Sequence, residues 1–148
     1  MSKWVSLFIR FFFSVVVGYF FASVFHTQSV LAKLTALDVQ ITFMQRISTT
    51  YTDFIGLAPK YGSVVCIGLL IAFSVCHWLQ KKLGGNPVYW FSCAGGVALL
   101  SILLIMHPIM QVSLLAGARD LSGIILQVIA GILAGLTFSR LQKRPSTT

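Results

Sequence analysis

Apolar residues gather into four long runs, at residues 5–25, 61–79, 89–106 and 121–138, with shorter mixed segments between them. Each run is close to the roughly 20 residues an α-helix needs to cross the hydrocarbon core of a bilayer. The last, LSGIILQVIAGILAGLTF, holds no charge and one amide, Gln127. Its Gly123, Gly131 and Gly135, with Ala130 and Ala134, leave one side of a helix nearly bare, the pattern that lets a neighbouring backbone come close. Gly68, Ala72 and Cys76 repeat that spacing in the second run, placed to face the seam on the last helix. In the third run Ser92 with Gly96, and Ala94 with Ala98, do the same.

The segment 26–60 has a different periodicity. Val30, Leu31, Leu34 and Leu37 recur at helical spacing, and after Asp38 a second set follows at Phe43, Ile47, Tyr51 and Phe54. Both sets predict short amphipathic helices, the second starting at a Thr42 and Gln45 capping box and running to Gly56. Their apolar faces are too narrow to cross lipid, so they are expected along the outer interface or over the bundle ends, with a lid over a cavity as the sharper alternative. Pro59 predicts a break before the second run. Gly84, Gly85 and Asn86 predict a tight turn, with Asn86 capping a helix that has Pro87 at its first position. Asp120 is placed to cap the last helix.

These elements make an all-α membrane protein, a four-transmembrane-helix bundle with short amphipathic helices in the first outer loop. Residues 1–148 are expected to form a single integral membrane domain with a tail at 139–148. The first run is read as a retained anchor, because no register near Ala22 and Ser23 supplies the paired small residues of a signal-peptide cleavage site.

Composition agrees with a lipid environment. The chain is 57% hydrophobic and 9% charged, too few charges to solvate a water-soluble surface, where about a quarter of residues are normally charged. Lys3, Arg10, Lys81, Lys82, Arg140, Lys143 and Arg144 fall on one side of the predicted membrane without an acid among them. Lys33, Arg46, Lys60 and Arg119 fall on the other with Asp38, Asp53 and Asp120. That asymmetry predicts a bacterial inner-membrane protein with both termini in the cytoplasm. The formal charge of +8 is thus an orientation signal and an attraction for anionic lipid. The basic residues sit at span ends, so no nucleic-acid partner is expected.

Candidate chemistry is sparse. The three acids are all Asp, and none lies within a predicted span, which weakens a proton-coupled transport reading, since such a site has to change charge inside the membrane. Small multidrug exporters and glutathione-dependent membrane enzymes rely on glutamates, and this chain has none. Disulfide-exchanging membrane proteins present cysteine pairs in outer loops, whereas Cys66, Cys76 and Cys93 all lie inside predicted spans and read as small packing residues. His26 and His107, with Met44, Met106 and Met110, can be drawn as a soft-metal site. The spacing matches no ligand pattern, and histidines at helix ends have a simpler interfacial role. No metal or other cofactor is expected. Arg10 lies within snorkelling reach of the interface, though it could also contact a partner or substrate. Gln127 is either interhelical glue or part of a path. Asp53, Arg119 and Asp120, with Tyr51 and Tyr61, are expected to converge at the outer mouth as a salt bridge tying the lid segment to the last hairpin. No nucleophile with an adjacent base accompanies them, so catalysis is not expected.

GLLIAF at 68–73, LLAGARD at 114–120 and the glycine-bearing stretch 127–135 resemble small, uncharacterised four-span inner-membrane proteins of proteobacteria. That resemblance implies fold and location, and no activity. Two function classes follow from the residues. One is a non-enzymatic membrane component that self-associates or docks on a larger assembly through its small-residue faces. The other is an oligomeric transporter or channel for a small solute, with Gln127, Ser92, Ser101 and Arg10 lining a path. The lipid bilayer is the partner common to both.

Overall fold

A computed structural model describes residues 3–36, 42–109 and 121–143. All are helical except Thr42 and the turn at 84–86. In chain order the helices are α1 (Lys3–Ala36), α2 (Phe43–Leu57), a π-helical turn (Ala58–Gly62), α3 (Ser63–Leu83), α4 (Pro87–Ile109) and α5 (Leu121–Lys143). Four stretches, Trp4–Ala32, Phe43–Leu83, Pro87–Ile105 and Ser122–Gln142, are long and apolar enough to cross a membrane. The protein is a multi-pass, all-α membrane protein built as a four-helix bundle.

The first helix runs past the expected end at residue 25. Hydropathy falls there, but no Gly or Pro occurs between Tyr19 and Ile55, so nothing in the backbone stops the helix. Val30 and Leu31 therefore belong to the end of α1, not to a separate amphipathic helix; Leu37 lies outside the described residues. At 1.5 Å per residue α1 is about 51 Å long, well beyond a hydrocarbon core of about 30 Å. His26 accordingly sits within the helix, buried, and not at its terminus.

The second amphipathic helix forms as expected. Thr42 is its N-cap, and Gln45 Oε1 accepts from the Thr42 backbone N–H at 2.9 Å to complete the capping box. It ends differently from the expectation. Pro59 does not break the chain, because the π turn widens the backbone where the proline has no N–H to give to the Ile55 carbonyl. The Ser63 hydroxyl then lies 2.9 Å from the Pro59 carbonyl and 2.8 Å from that of Lys60, serving acceptors loosened by the wider turn. The result is one near-continuous stretch from α2 into α3.

This stretch runs antiparallel to α1. Phe54 stacks on Tyr19 with ring centroids 5.1 Å apart, Thr27 donates to Asp53 Oδ2 at 3.0 Å, Gln28 to Thr50 at 3.4 Å, and Arg46 to Thr35 at 3.1 Å. The helix α2 is thus docked along α1 by polar pairs and does not cap the bundle end. Its stripe of Phe43, Ile47 and Tyr51 faces away and stays exposed.

At the other end of α3, Gly84 and Gly85 take φ of +71° and +100°, a region that side chains with a Cβ rarely adopt. Asn86 Oδ1 accepts from Val88 N at 3.1 Å and the Trp90 indole donates to the Gly84 carbonyl at 3.0 Å. A two-glycine turn fastened on both sides closes the α3–α4 hairpin.

Within the bundle α5 is wedged between α1 and α4, and α3 leans on α4, while α1 and α3 meet sparsely. The small residues decide this order. A Cβ on Gly131 would fall 2.7 Å from the Gly95 carbonyl carbon, and one on Gly135 would fall 2.8 Å from Ser92 Cα. The two helices touch backbone to backbone, a distance at which Cα–H···O contacts form. Gly96 meets Ile132 and Val128 of α5, and Gly123 is buried. A second face of α5, at Ala130 and Ala134, meets α1, where a Cβ on Gly18 would come within 2.9 Å of the Ala134 Cβ.

The seam on α3 is oriented differently from the expectation. Gly68 is filled by Ile102 of α4, with a Cβ there falling 2.6 Å from its Cδ1, so this seam faces α4 and not α5. Ala72 is half-buried beside the core and Cys76 lies within it. Towards the end that carries Lys81, Lys82 and Arg140, rings from all four long helices lock together. Phe73 stacks on Phe138 at 4.7 Å and meets Phe91 at 5.6 Å and Phe11 at 6.3 Å, both edge-on.

Candidate functional site

The densest polar arrangement inside the bundle is built on Gln127. This residue follows the outer end of α5 by six positions, about 9 Å along the axis, and is 2% exposed. An amide there has no water, so both of its ends need partners. The Nε2 donates to the Ala22 carbonyl of α1 at 2.9 Å, and Oε1 accepts from the Tyr61 hydroxyl at 3.0 Å. Tyr61 reaches this position because the π turn rotates it into the core, where it is 6% exposed.

Tyr19 completes the arrangement one turn below Ala22. Its ring lies 6.3 Å from that of Tyr61, and its hydroxyl donates to the carbonyl of Phe54, beside the gap that Pro59 opens in the helical ladder. Three separate stretches, α1, the π turn and α5, are clasped by one amide and two phenols. A turn above, Thr27 is fully buried and bonds both the Ser23 carbonyl and the Asp53 carboxylate. Nearer the basic end, Ser14 donates to the Ala134 carbonyl at 2.7 Å, a direct side-chain tie between α1 and α5.

The expected convergence at the outer mouth does not take the form read from the sequence. Arg119 and Asp120 lie outside the described residues. Asp53 takes Thr27 as its partner, Tyr61 turns inward to Gln127, and Tyr51 is 67% exposed. The four residues proposed to line a path are also not gathered. Gln127 is closed within the core, Ser92 bonds back to the Val88 carbonyl at 2.6 Å, Ser101 is exposed, and Arg10 is half-buried on α1. Among the described residues no group of three His, Cys, Asp or Glu side chains is placed to hold a metal ion. His107, Met106 and Met110 have no described side chains, and Met44 is exposed. The three cysteines are free thiols, with Cys76 buried and Cys93 exposed.

Sequence reasoning found Gln127 but missed its partners. The signals were present, since Tyr61 stands two residues after Pro59, and Ala22 and Gly18 share a face of α1 four residues apart. Gly95, which meets Gly131, was also missed because attention fell on pairs four apart and not on the adjacent Gly95–Gly96 doublet.

No family model matches the chain, and no solved structure matches it. Part of it is similar to "Glucose transporter type 3" of Drosophila melanogaster, at 34% identity over 55 residues. The match covers 37% of this chain and 11% of that protein. The stretch is a small fraction of the transporter's length, and it leaves the family of this chain open.

Proposed function

We infer that the chain is a non-enzymatic, multi-pass component of a bacterial inner membrane, with both termini cytoplasmic, packing with itself or within a larger membrane assembly. The observation that carries this reading is the closure of the clasp: Gln127, Tyr61 and Ser14 each find a partner inside the chain. A side chain committed in this way holds helices and has no free group to offer a substrate. The glycine faces are likewise spent between α4, α5 and α3, so the surface left for association is the aromatic and branched exterior, including Phe12, Phe13, Ile67 and Ile71. Mass measurement of the full chain in nanodiscs, together with in vivo photocrosslinking from Phe13 and Ile71, tests it. A single discrete neighbour, either a second copy or another membrane protein, is expected. A strictly monomeric particle that crosslinks to lipid alone would overturn the reading.

A second reading, an oligomeric transporter or channel for a small solute, draws on the partial similarity to a glucose transporter. Gln127→Leu separates the two. The scaffold reading expects a loosened bundle with unchanged solute flux in cells; the transport reading expects normal assembly and altered flux.

A further inference from the structure

The sparsest helix contact in the bundle, α1 against α3, leaves a cleft of about 320 Å³ near the basic end, within the usual size of a ligand site. Its walls are apolar, from Trp4, Phe8, Phe11 and Leu70, with Ser74 and His77 higher on α3. Trp4, Phe8 and Leu70 are more than half exposed, so the cleft opens sideways toward the acyl chains.

Two features at its end give the occupant a headgroup. Gln142 of α5 lines the cleft, and its Oε1 is buried without a donor. An acceptor so placed is costly until something donates to it. Lys81 follows His77 by one helical turn on the same face, and Lys82 beside it holds its ammonium 4.2 Å from the Trp78 ring. The one acid among the described residues, Asp53, is at the opposite end of the bundle, so this rim is uniformly basic.

The geometry points to a binding site for one molecule of an anionic phospholipid with a hydroxyl-bearing headgroup, held between α1 and α3. One acyl chain lies against Phe8, Phe11 and Leu70. The phosphate sits at Lys81 and Lys82, and a headgroup hydroxyl donates to Gln142 Oε1. The aromatic lock of Phe11, Phe73, Phe91 and Phe138 forms the floor of the cleft and stops the chain from passing between the helices.

Native mass spectrometry of the full chain, delipidated in detergent and titrated with dioleoylphosphatidylglycerol or dioleoylphosphatidylcholine, tests the site. Phosphatidylglycerol should bind about tenfold more tightly, the order expected for two lysines near a membrane surface. The paired substitution K81Q/K82Q should erase that preference and leave weak binding of both lipids. Ser74→Phe, on an exposed position, should fill the cleft and remove the bound lipid while circular dichroism and melting stay unchanged. Leu70→Phe serves as a second filling variant should Ser74→Phe fail to fold. Equal binding of the two lipids to the unaltered protein, or full phosphatidylglycerol binding by a folded cleft-filled variant, would overturn the proposal.

Discussion

Adding a single methyl group at Gly131 probes the contact on which the helix order rests. The Cβ of Gly131→Ala would fall 2.7 Å from the carbonyl carbon of Gly95 and 3.1 Å from Gly96 Cα, closer still to the Gly95 oxygen. Those atoms are backbone and cannot rotate aside. Ordinary contact begins near 3.4 Å, so α4 and α5 would have to part by roughly 0.7 Å or more. A gap of about 0.5–1 Å forfeits a quarter to a half of the dispersion well for every atom pair along the interface. Overpacking of this kind costs about 1–3 kcal/mol, set against a gain of up to about 1 kcal/mol in helix propensity. The net expectation is a loss of about 2 kcal/mol, or about 30-fold in the folded ratio. Unfolding of the full chain in mixed micelles, with an anionic detergent as denaturant and circular dichroism as readout, measures it. Gly56→Ala is the control, because a Cβ there meets nothing within 4 Å. If Gly131→Ala proves as stable as Gly56→Ala, the backbone contact between α4 and α5 is wrong.

Other positions give independent readouts. Tyr61→Phe removes the donor to Gln127 and is expected to cost about 1 kcal/mol, while Gln127→Leu, which also strands a buried phenol, should cost about 1–3 kcal/mol in the same unfolding assay. Thr27→Val keeps the shape of the side chain and removes the hydroxyl that bonds Asp53. Hydrogen exchange in α2 should accelerate several-fold while α4 and α5 keep their protection. Gly84→Ala forces a Cβ into φ of +71° and is expected to lower stability by about 1 kcal/mol without altering the helix core.

The spans were legible because hydropathy over 18 or more residues is a one-dimensional signal, and the N-cap of α2 and the turn at Gly84, Gly85 and Asn86 were legible because their chemistry is local. What escaped was set by partners distant in sequence. Pro59 reads as a stop, yet the π turn absorbs it and carries Tyr61 to Gln127, 66 positions away. The end of α1 was misplaced because hydropathy reports where lipid ends and not where a helix ends. Gly68, Ala72 and Cys76 are visible as a seam, but whether that seam meets Ile102 or Gly131 depends on the rotation of α3, which its own sequence does not fix. The polar residues were identified singly, whereas Thr27 with Asp53 and Ser14 with Ala134 exist only as pairs across the bundle.

The most direct test of this arrangement uses Ser14→Cys with Ala134→Cys in a chain whose native Cys66, Cys76 and Cys93 are replaced by alanine, and with a protease site inserted at residues 37–41. Oxidation should join α1 to α5 within a single chain, so that the two fragments stay together after cleavage until reductant is added. Fragments that separate without reductant, or a crosslink found only between two copies, would contradict the placement of α5 between α1 and α4.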